Sequence, residues 1–231
     1  MLRVYLASPA SQLQANAARE MPVLLSYAGS GRDPWLQKGY LQSFDSVLID
    51  SGAFSVHNSG VVIDPSAYRA WAETIPWADN CAALDDVAGD WRKGMRNAEA
   101  FGFPTYHDSD PEDTLAPLID IARERGNWLG IGLVPPRTGR TDWLERTLCQ
   151  IPEDIHVHGW AMGLYALTQH RIDSFDSTHW WREAMALRDS AKLHWLTYAE
   201  TLEIMVKKMQ RLRRTQSVSN ERKDADQAFL F

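Results

Sequence analysis

Asp110-Pro-Glu-Asp-Thr-Leu-Ala-Pro-Leu-Ile-Asp-Ile-Ala-Arg-Glu-Arg-Gly126-Asn-Trp-Leu-Gly-Ile-Gly-Leu133 holds one complete helix-to-strand unit. Asp110 offers a side-chain oxygen to the unbonded amides of a first helical turn, and Pro111 needs no amide donor there. The spacing predicts a helix over Pro111–Arg125, stopped by Gly126, the residue type that turns most readily into the left-handed region. The short apolar run Trp128–Leu133 that follows predicts a buried strand.

Working outward, the same alternation recurs along the chain. Strands are expected at Arg3–Ala7, Val23–Tyr27, Ser46–Asp50, Cys81–Asp85, Pro104–His107, Trp128–Leu133, Ile155–Trp160 and Ile172–Phe175. Helices are expected at Pro65–Thr74, Asp90–Phe101, Pro111–Arg125 and Asp142–Gln150, with Asp64 and Thr141 as further start signals and Gly102 as a further stop. Strands in steady alternation with helices predict an α/β fold, a (β/α)8 TIM-type barrel in a single domain over 1–214 with a C-terminal helix. The first third is the weakest part of the pattern, so an open doubly wound sheet is the alternative. Residues 215–231 are polar and aperiodic and are expected to form a flexible tail.

Composition narrows the function classes. With 45% apolar residues in a 231-residue chain, a full core can be buried. Cys81 and Cys149 lie far apart and match neither a disulfide framework nor a zinc knuckle, so no structural metal is expected. Neither a signal peptide nor a membrane-length apolar run is present, which predicts a cytoplasmic protein. The formal net charge of −6 argues against indiscriminate nucleic-acid binding but permits a local basic cleft. Lys207, Lys208, Arg211, Arg213 and Arg214 cluster near the C-terminus, a pattern that alone describes a solvated helix face. Arg137 and Arg140 flank an expected loop.

In such a barrel, residues at the C-terminal ends of the strands converge on one mouth. Three of those ends carry acids: Asp50 after Val47-Leu-Ile, Asp85-Asp86 after Ala83-Leu, and Asp173 with Asp176 in Ile172-Asp-Ser-Phe-Asp-Ser177. Each alone reads equally well as a turn or helix-cap residue. Together they suit glycosyl transfer, in which one carboxylate meets the anomeric carbon and a second moves a proton at the leaving group.

These residues carry a family resemblance. Asp50-Ser51-Gly52-Ala53-Phe54 resembles the Asp-Ser-Gly-Gly-Phe/Tyr segment of the tRNA-guanine transglycosylase family, and Phe175-Asp176-Ser177 resembles its Phe-Asp-Cys segment. Trp128-Leu-Gly-Ile-Gly-Leu133 resembles its Gly-rich strand, and Ala161-Met162-Gly163 its Met-Gly turn. The order agrees across Ser46 to Ser177. The resemblance implies a (β/α)8 barrel in which Asp176 attacks C1′ of the target nucleotide and Asp50 is general acid and base at the purine. It implies that Asp85 reads the N1–H and 2-amino edge of guanine, that Ser51 and the backbone at Gly130 and Gly132 help to hold the base, and that Phe54 and Met162 sandwich it. Asp86 is the rival of Asp85, and Asp173 that of Asp176. His107, with Asp108, stands where the family places a base-contacting Gln.

The chain departs from the tRNA-directed enzymes in lacking their Cys-rich zinc segment and their Leu-Pro-Thr-Arg continuation; Ser177-Thr-His-Trp-Trp181 stands there instead. It is most similar to the small zinc-free, DNA-directed branch found in phages and bacterial DNA-modification clusters. The resemblance therefore implies exchange of guanine in DNA for a free 7-deazaguanine base of the preQ0 type, with no cofactor, in the host cytoplasm if the gene is a phage's. The alternatives are tRNA as the acceptor and a non-catalytic nucleic-acid- or clamp-binding barrel. The peptide Gln227-Ala-Phe-Leu230-Phe231 resembles the Gln-x-x-Leu-Phe motif that docks DNA-handling proteins on a sliding clamp. His156-x-His158 could present two imidazoles to a metal with acids nearby, though it lacks an evident third His, and structural histidines are the commoner case.

Overall fold

The computed structural model describes residues 2–56, 61–86, 89–132, 141–160, 162, 171–189 and 196–211. Its strands are β1 (Arg3–Ala7), β2 (Pro22–Ser26), β3 (Ser46–Asp50), β4 (Asn80–Cys81), β5 (Thr105–His107), β6 (Trp128–Gly132), β7 (His156–Trp160) and β8 (Ser174–Ser177). The helices are α1 (Gln12–Ala17), α2 (Pro34–Gly39), α3 (Ala53–Val56), α4 (Pro65–Ala72), α5 (Trp91–Ala100), α6 (Leu115–Glu124), α7 (Thr141–Gln150), α8 (His179–Asp189) and α9 (198–211). The strands lie in the order β4-β3-β2-β1-β8-β7-β6-β5, and every pairing is parallel. A parallel bridge between Ala82 and Phe103 joins the two outer strands. The fold is a (β/α)8 barrel, and that bridge excludes the open sheet.

The closure depends on Gly102. Its φ is +83°, and a Cβ there would come within 2.6 Å of the Ala83 amide nitrogen and 2.7 Å of the Ala82 carbonyl carbon. The same residue ends α5 in the left-handed region and lets two backbones touch. Phe103 then donates to the Cys81 carbonyl and accepts from the Ala83 amide, at 2.8 and 2.9 Å.

Alternation along the strands divides the core in two. Val4, Leu6, Val23, Leu25, Val47, Ile49, Leu129, Ile131, Val157 and Phe175 face outward into the main cluster beneath the helices. Tyr5, Ala7, Leu24, Leu48, Ala82 and Phe103 face inward, with Trp128 and Trp160 packed against them. The interior is thus filled by aromatic rings: Phe103 and Trp160 stack at 6.0 Å, and Trp128 lies on His156 at 3.8 Å. Gly130 makes the room, since a Cβ there would stand 2.2 Å from Trp160 Nε1. That nitrogen donates to Thr105 Oγ1 at 3.0 Å across the glycine. Arg3 pairs with Asp79 at 2.7 Å, and Tyr5 donates to the same carboxylate, closing the N-terminal end of the barrel.

Several elements differ from the sequence expectation. α6 begins at Leu115, after a 3-10 turn over Glu112–Thr114, because Pro117 cannot donate to Asp113 and fits only in a first turn. β8 runs Ser174–Ser177, later than Ile172–Phe175, since its register is set by β1, where Tyr5 faces Asp176. β4 is shorter than expected and ends before Asp85. The six-residue helices α1 and α2 fill the first third. The C-terminal helix α9 buries Thr201, Leu202, Met205, Val206 and Met209. It starts with a reciprocal cap in which Thr197 and Glu200 each take the other's amide, at 2.7 and 3.3 Å. On its outer face Lys208 pairs with Glu183 at 3.2 Å. Arg137, Arg140, Arg213, Arg214, the tail 215–231 and its Gln227, Leu230 and Phe231 lie outside the described residues. No helix among the described residues is long and apolar enough to cross a membrane.

Candidate active site

Asp50 is the last residue of β3 and continues the inward row of Leu48. Its Oδ2 accepts from the Gly52 amide at 3.0 Å. Gly52 has φ +76°, and a Cβ on it would meet Ser26 Oγ at 2.2 Å, so only glycine lets the chain fold back over the end of β2. Burial, then the negative charges of Asp176 and Asp85, raise the Asp50 carboxyl to about 7, against a smaller opposing effect of the Gly52 and Ser51 amides. A carboxyl at that value holds a proton at neutral pH and can give it up there.

Asp176 lies inside β8, opposite Tyr5 of β1. Its Oδ1 stands 3.7 Å from Nε2 of His158, which is fully buried, while the Asp176 side chain keeps 14% exposure. Asp173 stands just before the same strand, where it accepts from the Val157 amide at 2.8 Å and pairs with Arg171 at 3.3 Å. Of Asp173 and Asp176, it is Asp176 whose charge acts on Asp50.

Asp85 follows β4, and its Oδ2 stands 2.9 Å from His107 Nε2. The other ring nitrogen lies 3.5 Å from Asp110, which also accepts from the His107 amide at 2.8 Å. Burial pulls the His107 pKa down, but Asp110 and Asp85 outweigh it and hold the imidazolium up to about 10. Asp86 turns the other way, to Lys93 at 2.6 Å and the Asp90 amide at 3.1 Å at the start of α5. The geometry thus separates the two adjacent acids, and it adds Asp110, which the sequence offered only as a helix-start residue.

The remaining candidates are scattered. Ser51 is buried, and its hydroxyl accepts from the Ala53 amide at 3.3 Å. Phe54, on α3, is 71% exposed, whereas Met162 is buried in the outer core, against Gly159 and Ile172. The structure does not bring Phe54 and Met162 together as two faces of one slot. Gly130 is covered by Trp160 and Thr105, and a Cβ on Gly132 would stand 2.5 Å from the His107 ring, so both glycines give clearance to neighbouring side chains. His156 Nε2 and His158 Nδ1 both meet Ser174 Oγ, at 2.8 and 2.9 Å. Among the described residues, no group of three or more His, Cys, Asp or Glu is arranged to hold a metal ion.

The fold and its mouth of carboxylates are of an enzyme-like (β/α)8 class. Among solved structures, the YdjI aldolase from Escherichia coli K12 is similar, with a TM-score of 0.52 and 9% identity over 92% of this chain and 89% of that one. At that identity the likeness extends to the barrel alone. No protein-family model and no curated protein matches the chain.

Proposed function

We propose that this protein is a base-exchanging transglycosylase that replaces guanine in DNA by a 7-deazaguanine. The observation that carries the reading is the pair Asp50 and Asp176 at the C-terminal ends of β3 and β8, where burial and the Asp176 charge hold Asp50 near neutrality. Asp176 attacks C1′; a C1′–O bond forms as C1′–N9 breaks, and the electron pair passes to the purine, which takes the Asp50 proton. The incoming base then loses its N9 proton to the Asp50 carboxylate and attacks C1′, releasing Asp176. Two displacements retain the anomeric configuration.

Asp85, paired with the His107 imidazolium, suits the N1–H and 2-amino donors of guanine-like bases. A nucleophile recessed within the barrel requires the nucleotide to be turned out of the stack, and exposed Phe54, on the helix that follows Asp50 in the chain, offers a stacking face. With a net charge of −6, the grip on DNA must be local; exposed Arg32 after β2 and Arg92 at the start of α5 lie on the mouth side. Cytoplasmic action on DNA, with Gln227, Leu230 and Phe231 docking on a sliding clamp, completes the proposal.

Labelled guanine and labelled 7-cyano-7-deazaguanine, offered with DNA and with tRNA in parallel, test it. Incorporation into DNA that is lost in Asp176→Ala is the expected result. Incorporation into tRNA alone would move the same chemistry to another acceptor. Incorporation into neither would leave a barrel that binds without catalysing.

A further inference from the structure

His158 is fully buried, yet its Nε2 has no hydrogen-bond partner among the described residues. An unsatisfied buried nitrogen costs stability and calls for an explanation. The nitrogen faces Asp176 Oδ1 at 3.7 Å, just beyond hydrogen-bond length, a separation that catalytic contacts often show before substrate binds. The ring is fixed on its other sides, with Trp160 edge-on at 4.3 Å and Tyr5 edge-on at 5.9 Å.

Behind His158 lies Ser174, whose hydroxyl has one proton to give and is shared with His156. Burial first, and the neighbouring His158 and Arg3, lower His156 to about 4 against the opposing charges of Asp173 and Asp79, so it is neutral at working pH. With one proton on each imidazole, one arrangement satisfies the whole chain: His156 Nε2–H donates to Ser174, Ser174 donates to His158 Nδ1, and the His158 proton sits on Nε2. Any arrangement that puts the proton of a neutral His158 on Nδ1 turns a lone pair toward the Asp176 carboxylate, in surroundings that screen little.

We propose that His158 is a positioning residue for Asp176, holding its carboxylate through Nε2–H in a tautomer set by Ser174 and His156. The proposal rests on the transglycosylase reading of Asp176. His158 faces Oδ1, so Oδ2 is the oxygen that bonds to C1′ as the purine leaves with the Asp50 proton. The Oδ1 contact persists in the resulting ester, because its carbonyl oxygen still accepts the N–H.

The test uses the full-length chain with end-labelled DNA and reads the rate of covalent adduct formation beside the affinity for free 7-cyano-7-deazaguanine. His158→Leu is expected to slow adduct formation about 30-fold or more with base affinity unchanged. His158→Gln, whose amide can donate from the same place, is expected to recover to within about fivefold of wild type. His158→Leu reacting at the wild-type rate, or His158→Gln as slow as His158→Leu, overturns the proposal. Independently of any reaction, 15N-histidine NMR of the wild-type protein should show His158 protonated on Nε2; a proton on Nδ1 alone overturns it. A wild-type protein that forms no adduct instead sinks the transglycosylase reading, and the tautomer still decides whether His158 donates to Asp176.

Discussion

His107 Nε2 stands 2.9 Å from Asp85 Oδ2, and with Asp110 on its other nitrogen the ring carries its charge between two carboxylates. Its pKa is raised from 6.5 to about 10, so the stabilisation is fully present below about pH 6.5 and is lost as the pH rises through 10. We expect His107→Gln to lose about 2 kcal/mol at pH 6 and distinctly less at pH 10. Thermal unfolding at the two pH values checks it; an equal loss at both would refute the charged pairing.

Asp50 has the same pH slope from a different cause, its charged form being the one the fold disfavours. Its pKa is raised from 3.8 to about 7, so the folded state binds the extra proton, and stability falls as pH rises from about 4 to 7. Asp50→Asn should therefore raise stability at pH 8 by about 0.5–2 kcal/mol, with little effect at pH 4. The same change should slow guanine release by about 10²–10⁴-fold. A variant that is slower but no more stable at pH 8 would show that Asp50 is not strained by its surroundings.

Single-turnover release of guanine by the wild type should fall about tenfold per pH unit above about 7, as the Asp50 proton is lost. A rate that stays flat to pH 9 would remove Asp50 as the proton donor.

Gly102→Ala tests barrel closure. The new Cβ would press on the Ala82–Ala83 backbone from a residue at φ +83°. About 3 kcal/mol or more should be lost, a fall of about 6–12 °C in Tm for a chain of this size. A Tm within about 2 °C of wild type would mean that the β4–β5 contact contributes little.

Thr197→Ala removes one half of the cap at the start of α9 and should cost about 1 kcal/mol, read by chemical denaturation.

Much of the barrel is legible locally. Asp64 does cap α4, accepting from the Ser66 amide at 2.9 Å, and Gly102 and Gly126 do end helices at positive φ. Acids at strand ends are visible because strand and turn chemistry are both short-range. The position of β8 is not, because Asp176 is brought into the strand by pairing with β1, more than 170 residues away. The His107–Asp85 pair likewise exists only because the ring closes between β4 and β5. Phe54 and Met162 read alike as apolar residues near the mouth, and only the packing separates an exposed ring from a core side chain.

Phe103, Trp128 and Trp160 stopper the barrel from within, and Arg3, Tyr5 and Asp79 seal its lower end. Among the described residues, that leaves the vessel one doorway, at the C-terminal ends of the strands. In the proposed reaction a base cut from DNA would leave by the way its replacement enters, so the two would compete for one vacancy and could not pass each other. Free guanine should then slow turnover simply by occupying the threshold, while the sugar waits, tethered, for the next arrival.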